Sequence, residues 1–300
     1  MIFARPKLKI LEALFTHSVG PVASPTQDGG EVQSNPAGHA VPGFTVQEFR
    51  HAFCASELSM HYQPIVNLAT TEVVGFEALM RWQHPQRSVL PPSVFIPLAE
   101  RSDLIIDLGL FALSEAAKAA CSWNRVGAQT SQPYVSVNFS ERQFFDAGFV
   151  AMIEQALVVS GLEPERLIVE VTESVTMLDV SETLRVMERL NCLGIGLALD
   201  DFGTGHSSLP YLTLLKPRIL KIDQFYINAE RESEPSETLL EAIISLGRGL
   251  KMIVLAKGIE TPTQLVRLRQ IGCELGQGFL FSPAVPAEDA LNMVGRVLGS

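Results

Sequence analysis

Leu197-Ala198-Leu199-Asp200-Asp201-Phe202-Gly203-Thr204-Gly205-His206-Ser207-Ser208 reads as an apolar strand, two adjacent carboxylates, a glycine-bracketed loop and a helix start at Ser207 or Ser208. Two aspartates at the end of a buried strand repel each other. Leaving them unpaired in the interior costs free energy or raises a pKa. A basic partner, a bound cation or water at an open rim must meet them.

Outward from this stretch the same unit repeats. Strand-like runs at 134–138, 167–171, 196–200, 219–222 and 252–256 alternate with helical periods at 146–160, 179–193, from about 208, 235–250 and 261–271. A short strand near 274–279 and a helix over 287–298 end the series. Upstream, runs at 60–66 and 73–82 flank a hairpin-length connection, Asn67 to Glu72. Pro91-Pro92 opens a short helix, and a longer helical period covers 103–125. Apolar strands alternating with helices predict a parallel sheet covered by helices. Seven or eight such units favour a closed barrel, and the opening hairpin predicts one strand antiparallel to the rest.

Polar side chains collect at the C-terminal ends of these strands. They are Glu77 and Arg81, Asn138, Glu170 and Glu173, Asp200 and Asp201, Lys221 and Asp223, Lys257 and Glu260, and Gln277. In a parallel barrel this rim is the catalytic face. Any one of them alone reads as a salt bridge or a helix cap, but the whole series does not. The donors are carboxylates and an amide, a set that suits Mg²⁺ or Mn²⁺ better than zinc. An aspartate bridging two such ions is a device of phosphodiester hydrolysis. Lys221 has a rival reading as a Schiff-base amine, but crowding by carboxylates raises a lysine pKa and opposes it. Asp201-Phe202-Gly203 lacks the companion loops of a protein kinase.

Composition sets outer bounds. The 300 residues are 47% hydrophobic, enough for one barrel domain, and the net charge is -10. That charge, without a Lys/Arg block, argues against duplex DNA. No apolar run reaches the length of a membrane span. Cys54, Cys121, Cys192 and Cys273 are widely spaced and read as reduced packing cysteines of a cytoplasmic protein. Residues 18–43 are rich in Gly, Pro, Ser and Asn and read as a linker, so residues 1–44 form an N-terminal arm and 45–300 the folded domain.

Several motifs stand in order: Tyr62-Gln63-Pro64-Ile65, Glu77-Ala78-Leu79-Met80-Arg81-Trp82, Ser136-Val137-Asn138, Glu170-Val171-Thr172-Glu173-Ser174, Asp200-Asp201-Phe202-Gly203-Thr204-Gly205, Leu220-Lys221-Ile222-Asp223, Gly258-Ile259-Glu260-Thr261, and Gly272-Cys273-Glu274 with Gln277-Gly278-Phe279. Together they resemble the EAL domain family of bacterial cyclic di-GMP phosphodiesterases. The resemblance covers roughly residues 45–295. It implies a modified TIM-like (β/α)8 barrel of the α/β class with one antiparallel strand, preceded by a disordered N-terminal arm. It also implies hydrolysis of cyclic di-GMP to linear pGpG by a metal-activated water.

By the same resemblance, Glu77, Asn138, Glu170 and Asp200 hold one Mg²⁺ or Mn²⁺, and Asp200 with Asp201 holds a second. Lys221 orients the nucleophilic water and joins Glu77 and Glu260 as the catalytic candidates. Arg81 takes a substrate phosphate, with Gln63, Asp223 and Gln277 as further substrate contacts. Glu173 anchors the loop from Asp201 to Ser207, which in the family connects to a homodimer interface.

One position departs from the family pattern. Where the family reads Ala-Glu-Gly-Val-Glu, this chain has Ala256-Lys257-Gly258-Ile259-Glu260. The change swings the local charge by two units. Lys257 then either sits against Asp201 as a tethered cation or points to solvent. Reduced hydrolysis is the first expectation. The alternative is a catalytically degenerate domain that acts as a cyclic di-GMP receptor or a protein-interaction module. His206, where the family commonly has Tyr, reads as a solvated loop residue.

Overall fold

The structure, a computed structural model, describes residues 43–123, 132–203, 209–227 and 234–299. Nearly all of the arm expected over 1–44, and His206 with its loop neighbours, therefore lie outside the described residues. The domain opens at Thr45. Its side chain accepts from the Glu48 backbone N–H at 3.2 Å while Glu48 Oε2 accepts from Thr45 N at 2.7 Å, a reciprocal cap on α1 (Val46–Cys54).

β1 (Leu58–Asn67) and β2 (Val73–Trp82) form the expected antiparallel hairpin. Then come α2 (Pro92–Glu100), α3 (Leu104–Trp123), β3 (Tyr134–Asn138), α4 (Glu141–Phe144), α5 (Phe149–Ser160), β4 (Leu167–Thr172), α6 (Glu173–Leu178) and α7 (Val180–Cys192). The chain continues through β5 (Gly196–Phe202), α8 (Leu209–Leu215), β6 (Ile219–Ile222), α9 (Gln224–Ile227), α10 (Glu234–Gly249), β7 (Ile253–Ala256) and α11 (Pro262–Gln270). It ends with β8 (Leu275–Gly276), β9 (Val285–Pro286) and α12 (Ala287–Met293).

β2 through β8 lie side by side in parallel, and β1 runs antiparallel between β2 and β8. The sheet thus closes into an eight-stranded barrel. β9 is an extra strand on β1, with His61 opposite Pro286 and Tyr62 opposite Val285. One core fills the space between barrel and helices, with Trp82, Trp123, Phe49, Phe76 and Phe95 fully buried. A second, smaller cluster plugs the barrel itself: Ile65, Ile168, Ala198, Ile219, Leu255 and Leu275.

Three boundaries differ from the sequence reading by three or more residues. The helix expected over 146–160 starts at Phe149, because Asp146 Oδ1 instead accepts from Gly148 N at 2.8 Å in a local turn. The last strand shrinks to Leu275–Gly276. The last helix stops at Met293, where Val294 turns extended (ψ 126°) and Gly295 takes φ 75°. The apolar spacing of Val297 and Leu298 imitates a further helical turn, yet Val297 forms a β-bridge with Glu72. The cysteines are free, but Cys54 and Cys192 are exposed, which corrects their reading as packing residues. Cys273 is buried, and burial pushes its thiol up to about 12. Among the described residues no helix is long and apolar enough to cross a membrane.

Candidate active site at the barrel mouth

Strand alternation builds the site. Successive side chains on a strand face opposite sides, so a residue two positions beyond an inward apolar side chain also faces inward. Two residues past the plug stand Glu170 after Ile168, Asp200 after Ala198, Lys221 after Ile219, Lys257 after Leu255 and Gln277 after Leu275. β1 runs the other way, so its mouth residue, Gln63, precedes Ile65 by two. Glu77 lies opposite Gln63, and Asn138 opposite Glu170. The polar layer is therefore the next inward layer above the apolar plug.

Lys221 is the centre of that layer and is fully buried, at 0% exposure. Its Nζ lies 3.0 Å from Glu77 Oε2 and 2.6 Å from Glu170 Oε2. Burial opposes its charge, but Asp200, Glu170 and Glu77 outweigh burial and raise its pKa well above the ordinary lysine value. A Schiff-base amine would need the opposite shift.

Burial likewise works to raise Glu77. The Lys221 charge, with hydrogen bonds from Gln277 (Nε2 to Oε2, 2.7 Å) and Asn138 (Nδ2 to Oε1, 2.7 Å), holds it below the usual carboxylate value. Burial prevails at Glu170, which is pushed up to about 7 despite Lys221. Gln277 Nε2 also donates to Gln63 Oε1 at 2.8 Å, and Gln63 Nε2 donates to the Ser282 carbonyl at 3.2 Å. These amides fix the orientation of Glu77.

The aspartate pair departs from simple alternation. Adjacent strand residues should face opposite ways, but β5 shifts register between Leu199 and Phe202, and Asp201 takes φ 53°. This left-handed conformation costs about 1 kcal/mol in a non-glycine residue and is tolerated best by Asn and Asp. It brings both carboxylates to one lysine. Lys257 Nζ lies 2.7 Å from Asp200 Oδ1 and 2.5 Å from Asp201 Oδ1. Burial opposes the charge on Lys257, and Asp200 outweighs it and raises the pKa. Burial also opposes the Asp200 charge, and Lys221 and Lys257 together hold that carboxyl below its ordinary value. Of the two orientations open to Lys257, the structure has the tethered one.

Beyond Asp201 the turn is pinned at Gly203. Its N–H donates to Glu173 Oε2 at 3.2 Å, and Tyr226 OH donates to its carbonyl. Gly203 takes φ 90° with the Tyr226 hydroxyl against it, so a side chain there meets both backbone strain and a clash.

A cavity of about 340 Å³ opens beside this cluster, lined by Gln63, Glu77, Asp223, Lys257, Glu260 and Gln277, with Leu79, Gln224 and Phe279. Asp223 Oδ1 accepts from Phe225 N at 2.8 Å. Arg81 is half-buried and is not part of this lining; its Nη1 donates to the Met80 carbonyl at 2.9 Å. Phe279 is a wall residue that sequence reading gave no role, and it is 69% exposed. Apolar pattern alone does not separate an exposed aromatic at a strand end from a core one. Its neighbour Gly278 backs onto Ile259, whose backbone would collide with any Cβ.

The donor chemistry can be set against the metals expected here. Glu77, Asn138, Glu170 and Asp200 offer oxygen only, which suits Mg²⁺ or Mn²⁺. Among the described residues no three acidic, His or Cys side chains form a ready metal cage, and the carboxylates are turned to Lys221 and Lys257 instead. Four carboxylates facing two ammonium groups carry at most two surplus negative charges, which one divalent ion would balance. The inner donors therefore fit one ion. The Asp200–Asp201 pair does not fit a second, because Lys257 fills the space between its oxygens.

The chain is similar in sequence and fold to known proteins. A sequence model of the EAL domain matches residues 46–284. The bifunctional diguanylate cyclase/cyclic di-GMP phosphodiesterase MucR of Pseudomonas aeruginosa is 40% identical over 249 residues, 83% of this chain and 36% of that protein. The cyclic di-GMP phosphodiesterase NbdA of the same species is 40% identical over 240 residues, 80% of this chain and 30% of its own length. The chain thus spans about a third of the length of these curated relatives. Among solved structures, the PaMucR phosphodiesterase in complex with c-di-GMP superposes with a TM-score of 0.78 at 39% identity, covering 82% of this chain and 98% of that one. With a family match over most of its length and a closed barrel carrying the motifs at its mouth, the chain belongs to the EAL domain family.

Proposed function

We propose that this domain binds cyclic di-GMP at the barrel mouth and hydrolyses it to linear pGpG, at a rate lowered by Lys257. The observation that carries this reading is the convergence of Glu77, Asn138, Glu170, Asp200 and buried Lys221 beside an open cavity. The named activities of the relatives support it. A divalent ion held by the inner donors would supply an activated water and offset phosphoryl charge. The chain's own residues do the rest. Lys221 keeps Glu77 ionised and stands within reach of a water at the carboxylates. Gln277 and Asn138 hold Glu77 in one orientation. Arg81 takes a phosphate once its side chain swings toward the mouth. Asp223 and Glu260, on the cavity wall, suit the donor edge of guanine, and Glu173 steadies the turn at Gly203. A homodimer, on the family resemblance, and a cytoplasmic location, on the unpaired cysteines, complete the proposal.

Phe279 offers an exposed aromatic face on the same wall, fit for stacking a guanine base. Base–aromatic stacking contributes about 1–3 kcal/mol. Phe279→Ala is expected to weaken cyclic di-GMP binding by about tenfold or more in calorimetric titration. An unchanged affinity would place the bases elsewhere.

A second reading is favoured by the seat of Lys257 between Asp200 and Asp201. Here the domain binds cyclic di-GMP and signals without cutting, with a protein partner as the receiver. Purified protein incubated with cyclic di-GMP and Mn²⁺, followed by chromatography, separates the two. Accumulating pGpG supports hydrolysis. Bound but intact cyclic di-GMP after hours supports the receptor.

A further inference from the structure

We infer that Lys257 is a built-in cation for the Asp200–Asp201 pair, so that the mouth takes one divalent ion where its carboxylates alone would take two. This rests on the proposal above that the inner donors bind a divalent ion, and it concerns how many such ions the site admits.

Three observations carry it. The first is distance. Lys257 Nζ lies 2.7 Å and 2.5 Å from the two Oδ1 atoms. Mg²⁺ holds its oxygen ligands at about 2.0–2.1 Å, so an ion shared by these oxygens would overlap the ammonium. Lysine and ion are mutually exclusive on those two Oδ1 atoms, as they are on the Oε2 atoms of Glu77 and Glu170 that Lys221 holds; the inner ion would instead be held through Glu170 Oε1, Asn138 Oδ1 and Asp200 Oδ2. The second is backbone commitment. Asp201 takes φ 53° at a register shift in β5, and that bulge turns two adjacent side chains onto a single cation. At the neighbouring strand end, the Lys257 N–H donates to the Ile222 carbonyl at 3.1 Å, which sets the root of the lysine side chain. The third is charge. Lys221 answers Glu77 and Glu170, Lys257 answers Asp200 and Asp201, and at most two surplus negative charges remain on these four carboxylates, so a second divalent ion would make the cluster net positive. Among the described residues, Asp223 and Glu260 line the cavity without forming an ion pair with either lysine.

The consequence is a division of labour inside one carboxylate cluster. Glu77, Asn138, Glu170 and Asp200 keep an exchangeable cation, while Asp201 receives a permanent one. A lysine ammonium neutralises charge but cannot ligate a water as a metal does. The aspartate pair is thereby kept folded and compact at any metal concentration, and metal dependence is confined to the inner donors.

The test is Mn²⁺ stoichiometry on the full chain, by equilibrium dialysis with metal analysis and by low-temperature electron paramagnetic resonance. The wild type is expected to bind one Mn²⁺ per chain with the spectrum of an isolated ion. Lys257→Glu is expected to bind two, with the signature of spin-coupled neighbours. Lys257→Met removes the charge while keeping most of the side-chain length, and is expected to admit a second ion where the wild type admits none. Melting by circular dichroism identifies any variant that fails to fold, and the wild-type stoichiometry stands without the variants. Two coupled ions in the wild type, or a single ion in folded Lys257→Glu, would overturn the inference. No Mn²⁺ in any of the proteins would instead overturn the divalent-ion reading beneath it, and the inference with it.

Discussion

Lys221→Met is expected to remove hydrolysis and to destabilise the fold by about 3–5 kcal/mol, the cost of deleting one partner from a buried charge cluster. The substitution leaves Glu77 and Glu170 at the barrel centre without the ammonium that now lies 3.0 Å and 2.6 Å from them. Lys221 is also the largest cause holding Glu77 and Asp200 ionised against burial. Methionine fills similar volume, so the loss reports charge and not a cavity. Urea unfolding without metal measures it. Addition of Mn²⁺ is expected to return part of the stability by binding the native carboxylates, a mass-action gain that grows with metal concentration. Turnover is not expected to return with it, since the water-orienting amine is gone. A variant as stable as the wild type would mean that the cluster is already neutralised by protons.

Lys257→Glu is expected to act in the opposite direction on catalysis. It places a third carboxylate beside Asp200 and Asp201 and removes their counter-ion. In metal-free buffer this crowding destabilises the protein, seen as a lower melting temperature. With Mn²⁺ the melting temperature is expected to recover beyond the wild-type gain, because the new carboxylate is itself a ligand. Turnover of cyclic di-GMP is expected to rise by about a hundredfold or more, within the range that one positioned acid–base group supplies. An unchanged rate in a folded, metal-loaded variant would mean that Lys257 is not what limits the reaction.

The gathering of Glu170, Asp200, Lys221, Lys257 and Gln277 at one mouth was legible because each stands at the C-terminal end of a predicted parallel strand. The inward side was not, since strands such as Leu167–Thr172 are apolar on both faces, and only the plug of Ile168, Ala198, Ile219, Leu255 and Leu275 shows it. Closure of the barrel followed from the count of strand–helix units and the antiparallel strand from the short 67–72 connection.

The remainder depended on features that no period encodes. Alternation sends Asp200 and Asp201 apart, and only the positive φ at Asp201 brings them to one lysine. Sequence left Lys257 a choice between Asp201 and solvent, and the depth of the mouth decides it, with a side chain only 20% exposed. The end of the last helix was overrun because Val297 and Leu298 keep a helical spacing that the φ 75° of Gly295 interrupts. Arg81 carries the guanidinium expected to meet a phosphate, yet its present hydrogen bond to the Met80 carbonyl is set by side-chain rotamer, which sequence does not specify.

Crystals grown with Mn²⁺ and cyclic di-GMP, with anomalous diffraction collected at the manganese edge, test the central claim most directly. The expected result is the dinucleotide or its linear product in the cavity beside Gln63, Glu77 and Phe279, with one manganese peak among Glu77, Asn138, Glu170 and Asp200 and with Lys257 still between Asp200 and Asp201. A ligand bound away from the barrel mouth, or a mouth that holds the ligand without manganese, would contradict it.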